Sequence, residues 1–305
     1  MLKRFRACAI GLFTLLAVLG MSHAQTAAPA AAKPRHILMW KASSPTTTVY
    51  LLGSIHAGTR DMYPLPQAIE TAFASSKALA VEINIKNVNQ AQLLQLVQQY
   101  GMYGSDDSLS KHLPKETADA LNDFGSKHGL PAIALERMKP WVASITVLAL
   151  ALQQAGEDPA LGIDKHFLDE VKQAQRIEEL ESADFQLKLF SSATEQEQVE
   201  LLNSTLKQAG KTKELFGKMQ EAYLSGDTDT LLKAVQQEND GPKSLMKKLI
   251  DDRNVTMTEH ISGFLKGKEP YFVVVGAGHI IGDKGIVKLL QDKGYKVELV
   301  PTEAN

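Results

Sequence analysis

Short runs of β-branched and apolar residues alternate along this chain with longer stretches in which apolar positions recur every three to four residues. The short runs, bounded by turn residues, predict strands at 48–52, 78–83, 176–180, 271–275 and 296–300, with weaker candidates at 36–40 and 132–135. The longer stretches predict helices at 65–75, 89–100, 115–128, 140–155 and 163–173. A further helical set runs from 183 to 266, broken near Lys211, Gly226 and Gly241. Strands separated by helices give an α/β class: a central mixed β-sheet flanked by helices, with a large helical insertion between the early and late strands.

The opening of the chain changes this picture only at its edge. A basic start with Lys3, Arg4 and Arg6, an apolar run from Ala7 to Met21 and the small-x-Ala site Ser22-His23-Ala24 predict a signal peptide over 1–24 and a periplasmic or secreted protein. The apolar run is short for a span and lacks a charged stop-transfer flank. Residues 25–35 read as a disordered Ala/Pro/Thr-rich lead-in to a single domain over 36–301. Cys8, the one cysteine, lies in the leader, so the remaining chain must rely on a hydrophobic core rather than disulfides. The formal charge of -2 becomes about -5 without the leader, which argues against a nucleic-acid surface. The apolar stretch 142–152 is too short to cross a bilayer, so no membrane span is expected after cleavage. Oligomeric state is left open.

Chemistry concentrates at two places of the same form. Val49-Tyr50-Leu51-Leu52 runs into Gly53-Ser54-Ile55-His56, and Phe272-Val273-Val274-Val275 runs into Gly276-Ala277-Gly278-His279. In each, glycine permits a sharp turn and close approach at a strand end, and the histidine is set at the C-terminal edge of the sheet, where open α/β sheets bind ligands. Glu82 and Glu181 fall at the ends of two other strand-like runs. A carboxylate there is costly unless it is paired, bound to metal or used in catalysis. Two neutral histidines with one or two of these carboxylates suit divalent manganese, cobalt or zinc, which would lower the pKa of a bound water and polarise a carbonyl. Without a metal, one histidine and Glu82 would activate water as base and orienting partner. Asp164 reads equally as a helix N-cap or a site residue. Arg253 reads either as a clamp on a carbonyl or phosphate or as the partner of a structural carboxylate. His112, His128, His166 and His260 show no partner pattern and are expected in solvated positions. Replacing either strand-end histidine should remove the chemistry while costing about 1 kcal/mol or less of stability.

Taken in order, Gly53-Ser54-Ile55-His56, Tyr63-Pro64-Leu65-Pro66, Val81-Glu82, Lys139-Pro140-Trp141, Gly162-Ile163-Asp164, Leu180-Glu181, Gly226-Asp227, Asp252-Arg253-Asn254, Gly276-Ala277-Gly278-His279 and Gly294-Tyr295-Lys296-Val297 resemble the TraB/GumN family across nearly the whole domain. That family is related to Tiki metalloproteases, erythromycin esterases and ChaN-type haem-binding proteins. The resemblance implies their shared α/β fold and an active site at His56, His279 and Glu82, with Arg253 as companion. The function expected of that site is metal-assisted cleavage of a peptide or ester bond, with a peptide or small-molecule substrate.

Other enzyme readings fail on spacing. Gly276-x-Gly278 would need a third glycine at position 281, which is Ile281, and only one helix and one strand follow it. Gly-x-Ser-x-Gly and His-Glu-x-x-His are both absent from the sequence. The remaining rival is a module that holds haem, iron or a small molecule without turnover.

Overall fold

The computed structural model describes residues 35–234 and 241–302. The expected leader and most of the lead-in lie outside these residues. Arg35, assigned to the lead-in, is instead buried and donates to the backbone carbonyls of Asp61, Tyr63 and Pro64.

Six strands form one mixed sheet: β1 (Met39–Ser43), β2 (Thr48–Ser54), β3 (Ala78–Val81), β4 (Arg176–Glu179), β5 (Tyr271–Gly276) and β6 (Lys296–Val300), in the order β4-β3-β5-β2-β1-β6. Strands β4, β3, β5 and β2 are mutually parallel, and β1 pairs antiparallel with both β2 and β6. β3 and β5 are almost wholly buried, as parallel strands covered on both faces must be, and this explains their continuous apolar composition. The edges are charged instead. β4 carries Arg176, Glu178 and Glu179, and β6 exposes Lys296 and Glu298, which discourages pairing with another sheet.

On one side of the sheet, Phe73 from helix Gln67–Ser75 and Phe167 from helix Ile163–Glu170 meet Phe272 of β5, with ring centroids 4.8–5.6 Å apart. Helix Arg253–Leu265 packs against β2. The helical portion has a second core of its own. Phe124, Val147 and Leu202 close it beneath helices Lys115–Lys127, Pro140–Ala155 and Glu195–Ala209.

Two strand expectations need correction. Residues 132–135 are not a strand but the start of helix Ala132–Glu136, capped by Pro131; a four-residue apolar run has no period that separates helix from strand. The expected strand at 36–40 is shifted, since His36 bonds to the carbonyl of Leu224 and pairing begins only at Met39. The helical set from 183 breaks at Lys211 and Gly226 as expected. It also breaks before Thr194, where a capping box with Glu197 starts a new helix. The helix expected over 163–173 ends at Glu170, where Val171 leaves helical geometry with ψ 124°.

Candidate functional site

The register brings the strand ends together. Ser54 of β2 lies beside Gly276 of β5, Val81 of β3 beside Val274, and Val81 beside Glu179 of β4. Hydrogen bonds from Leu180 N to Val81 O and from Glu181 N to Glu82 O, both 2.9 Å, prolong the β3–β4 pairing to the two glutamates. His56, Glu82, Glu181 and His279 therefore share one sheet edge, as the sequence predicts.

The two glycine turns do different jobs. A Cβ on Gly53 would lie 2.9 Å from the Cα of Ala277, so this glycine lets the short helix Ala277–Ile280 sit against β2 and deliver His279. A Cβ on Gly276 would lie 3.1 Å from His56 Nε2, 3.3 Å from Glu82 Oε1 and 3.5 Å from His279 Cδ2. Gly276 is thus the floor on which the three side chains converge, and its N–H donates to Glu82 Oε1 at 2.7 Å.

Both imidazoles turn Nε2 toward that carboxylate oxygen, His56 at 3.7 Å and His279 at 3.9 Å. These separations exceed a hydrogen bond, yet one oxygen atom could touch all three groups. The opposite ring nitrogens are anchored. His56 Nδ1 lies 2.9 Å from Asp164 Oδ1, which also accepts from Ser54 Oγ at 2.7 Å, and His279 Nδ1 lies 2.6 Å from Asn254 Oδ1. Asp164 reaches His56 because its helix starts against the first turn, with Ile163 N bonded to Ile55 O at 3.0 Å. Asp164 is not the N-cap of its helix, a place taken by Gly162, and its carboxylate is turned to His56 instead.

Arg253 is fully engaged behind Glu82. Its Nη2 donates to Glu82 Oε2 at 2.5 Å and to Glu181 Oε2 at 2.7 Å, its Nε to Glu181 Oε1 at 2.8 Å, and its Nη1 to the Leu249 carbonyl at 3.0 Å. Of the two readings of Arg253, the structure places it as partner of buried carboxylates. Glu181, expected as a metal ligand, has its carboxylate taken by Arg253 and by Gln186 Nε2 at 2.9 Å. Among the described residues, no three His, Cys, Asp or Glu side chains already stand at metal-ligating spacing.

Burial sets the electrostatics. His56, Glu82, His279 and Arg253 are 4, 3, 1 and 2 % exposed, so each charge must be compensated locally. For Glu82, burial pushes the carboxyl up, but the Arg253 guanidinium and the Gly276 N–H outweigh it and hold the pKa down at about 2. Burial and the same guanidinium push His279 down to about 3, so it is neutral at physiological pH. Burial also opposes a charge on His56, but Asp164 overcomes it and raises that pKa above the usual histidine value. The two histidines are alike in position and opposite in proton affinity.

The sequence missed Asn254, although it lies in the quoted Asp252-Arg253-Asn254 run, and it missed Ser54 and Gln186. Three of the four histidines expected in solvated positions are half-buried and partnered. His112 sits between Asp107 and Glu195, His128 bonds to Phe124 O and Gln154, and His166 bonds to Glu70. His260 is exposed. Two cavities of about 340 and 480 Å³ open in the helical portion, and neither is lined by His56, Glu82 or His279.

Comparison with known proteins gives the same landmarks a wider frame. Residues 38–299 match the model of the TraB/PrgY/gumN family. The chain is similar to the uncharacterized protein YbaP of Escherichia coli (strain K12), 23% identical over 243 residues that cover 79% of this chain and 87% of YbaP. It is similar also to an uncharacterized protein of Treponema pallidum (strain Nichols), 23% identical over 305 residues that cover 94% of this chain and 91% of that protein. No solved structure matches.

Proposed function

The chain belongs to the TraB/PrgY/gumN family, and from that premise we propose that it is an exported hydrolase that cleaves peptide or ester bonds where His56, Glu82 and His279 meet. One observation carries this reading: two anchored imidazoles turn Nε2 toward a single ionised carboxylate oxygen over a glycine floor. A structural role would need neither the duplication nor the opposed proton affinities.

The division of labour follows from the surroundings. His56, backed by Asp164, takes the proton of the attacking water at Nε2 and returns it to the departing oxygen or nitrogen. Asp164 holds the ring and stabilises its charged form, as the carboxylate does in a serine-protease triad. Glu82 stays ionised beside it and stabilises positive charge as it develops on His56. Arg253 acts through Glu82 and is a positioning residue. Exclusion of bulk water strengthens each of these interactions.

In donor chemistry, though not at ligating spacing as the side chains stand, two imidazole nitrogens and a carboxylate suit a divalent ion of manganese, cobalt or zinc, for which His56, His279 and Glu82 would be the ligands. Both histidines already have Nδ1 engaged by an acceptor, the arrangement typical of histidine ligands. With neutral imidazoles, Glu82, Glu181 and Asp164 against Arg253 leave a formal charge of -2 that one such ion would balance. Bound there, it would supply Lewis acidity toward a water or a carbonyl.

The test is elemental analysis of the purified protein with a screen of peptide and ester substrates for wild type, His56→Ala and His260→Ala. Hydrolysis by wild type and His260→Ala, with a loss of about a thousandfold or more in His56→Ala, is the expected result. A haem absorption band with no turnover of any substrate would overturn the hydrolase reading and favour a binding module.

A further inference from the structure

The partner of His279 is an amide, and an amide can present either of two opposite ends. Asn254 is 1 % exposed and spans two groups: its Oδ1 lies 2.6 Å from His279 Nδ1 and its Nδ2 lies 2.8 Å from the backbone oxygen of Lys284. A carbonyl oxygen can only accept, so the NH₂ end must face Lys284 and the oxygen must face the histidine. The oxygen can only accept as well, so the hydrogen of the neutral ring must sit on Nδ1. The Lys284 carbonyl is held in place by a tight turn, in which a Cβ on Gly285 would come within 2.5 Å of the carbonyl oxygens of Ile280 and Ile281. The Lys284 side chain ties the same turn to Asp251 at 2.6 Å.

We propose that Asn254 is a positioning residue that selects the Nδ1–H tautomer of His279, with the Lys284 carbonyl as the stop that orients it. The Nε2 lone pair is then presented on the side of Glu82 Oε1. Without Asn254 a hydrogen on Nδ1 loses its acceptor, whereas one on Nε2 faces the Glu82 carboxylate 3.9 Å away, so the hydrogen moves to Nε2 and covers the lone pair that the site uses. The catalytic consequence rests on the hydrolase reading above, whereas the tautomer does not.

Long-range proton–nitrogen correlation spectra of the ¹⁵N-labelled full chain at neutral pH report which ring nitrogen carries the hydrogen, with His279 assigned by the signal lost in His279→Gln. The wild type is expected as Nδ1–H and Asn254→Leu as Nε2–H. On a substrate that the wild type turns over, Asn254→Leu should lose about 10- to 100-fold in kcat/KM. A wild-type His279 protonated on Nε2, or an Asn254→Leu ring that stays Nδ1–H, overturns the proposal. Should Asn254→Leu fail to fold, the wild-type spectrum still decides. Absence of any turnover with the wild-type ring in the Nδ1–H form would refute the hydrolase reading and leave the tautomer assignment standing.

Discussion

At the scale of single residues, burial separates what the site needs from what its position along the chain suggests. A histidine just beyond a strand looks like a rim residue whose loss costs about 1 kcal/mol or less. In the fold His56 and His279 are almost wholly enclosed, and each holds a buried acceptor, Asp164 and Asn254 respectively. Removing His279 takes the ring donor from Asn254 Oδ1, and removing His56 takes the ionic partner from the buried Asp164 carboxylate and leaves it the Ser54 hydroxyl, so His56→Ala and His279→Ala are each expected to lose about 2–3 kcal/mol in denaturant unfolding. A loss below 1 kcal/mol for both would contradict the burial described here. Arg253→Leu should be more damaging, at about 3–5 kcal/mol, because it strands Glu82 and Glu181 side by side with no countercharge. His56, Glu82 and His279 were legible in the sequence because a polar residue directly after an apolar strand is conspicuous. Asn254 was not, since its partner lies 25 residues away and only packing of its helix against the strand end brings them together.

At the scale of elements, legibility followed burial pattern. β3 and β5 are enclosed on both faces and leave unbroken apolar runs, whereas β1 carries Lys41 in the middle of a hairpin and its start could not be fixed from pattern alone. Residues 132–135 misled because so short an apolar run fits a helix as readily as a strand, and the proline before it was the better signal. The order of strands, with β5 inserted between β2 and β3, is a long-range outcome of closing the helical insertion, and no local feature encodes it. One element carries a sharp prediction. Helix Ile163–Glu170 abuts the first turn so closely that a Cβ on Gly162 would lie 2.6 Å from the backbone oxygen of His56. Backbone cannot swing aside as a side chain can, so Gly162→Ala should displace Asp164 from His56 and cost about 1–3 kcal/mol. An unchanged melting temperature would show that the contact is looser than this.

At the scale of the whole molecule, stability should depend on pH through a group outside the site. Glu157 is 8 % exposed, its Oε2 has no hydrogen-bond partner among the described residues, and burial together with the charge of Asp61 pushes its carboxyl up from 4.5 to about 7. The folded protein therefore holds this proton more tightly than the unfolded chain does. Its contribution is fully present below about 4.5 and is lost as pH rises toward 7. Glu157→Gln should match wild type near pH 4 and exceed it by up to about 2 kcal/mol at pH 8, a figure reduced for solvent screening. A difference that does not vary with pH would contradict this.

The central claim is that one site is assembled from both glycine turns, and Gly276 tests it most directly because it touches both histidines and the glutamate at once. Its backbone angles, φ -48° and ψ 136°, are open to alanine, so the substitution adds one methyl group where the three side chains converge and little else. The measurement is kcat/KM of Gly276→Ala against wild type on the same peptide or ester, with melting temperatures recorded alongside. A loss of about a hundredfold or more with the melting temperature changed by only a few degrees is the predicted result. Activity within twofold of wild type would contradict a shared site at His56, Glu82 and His279.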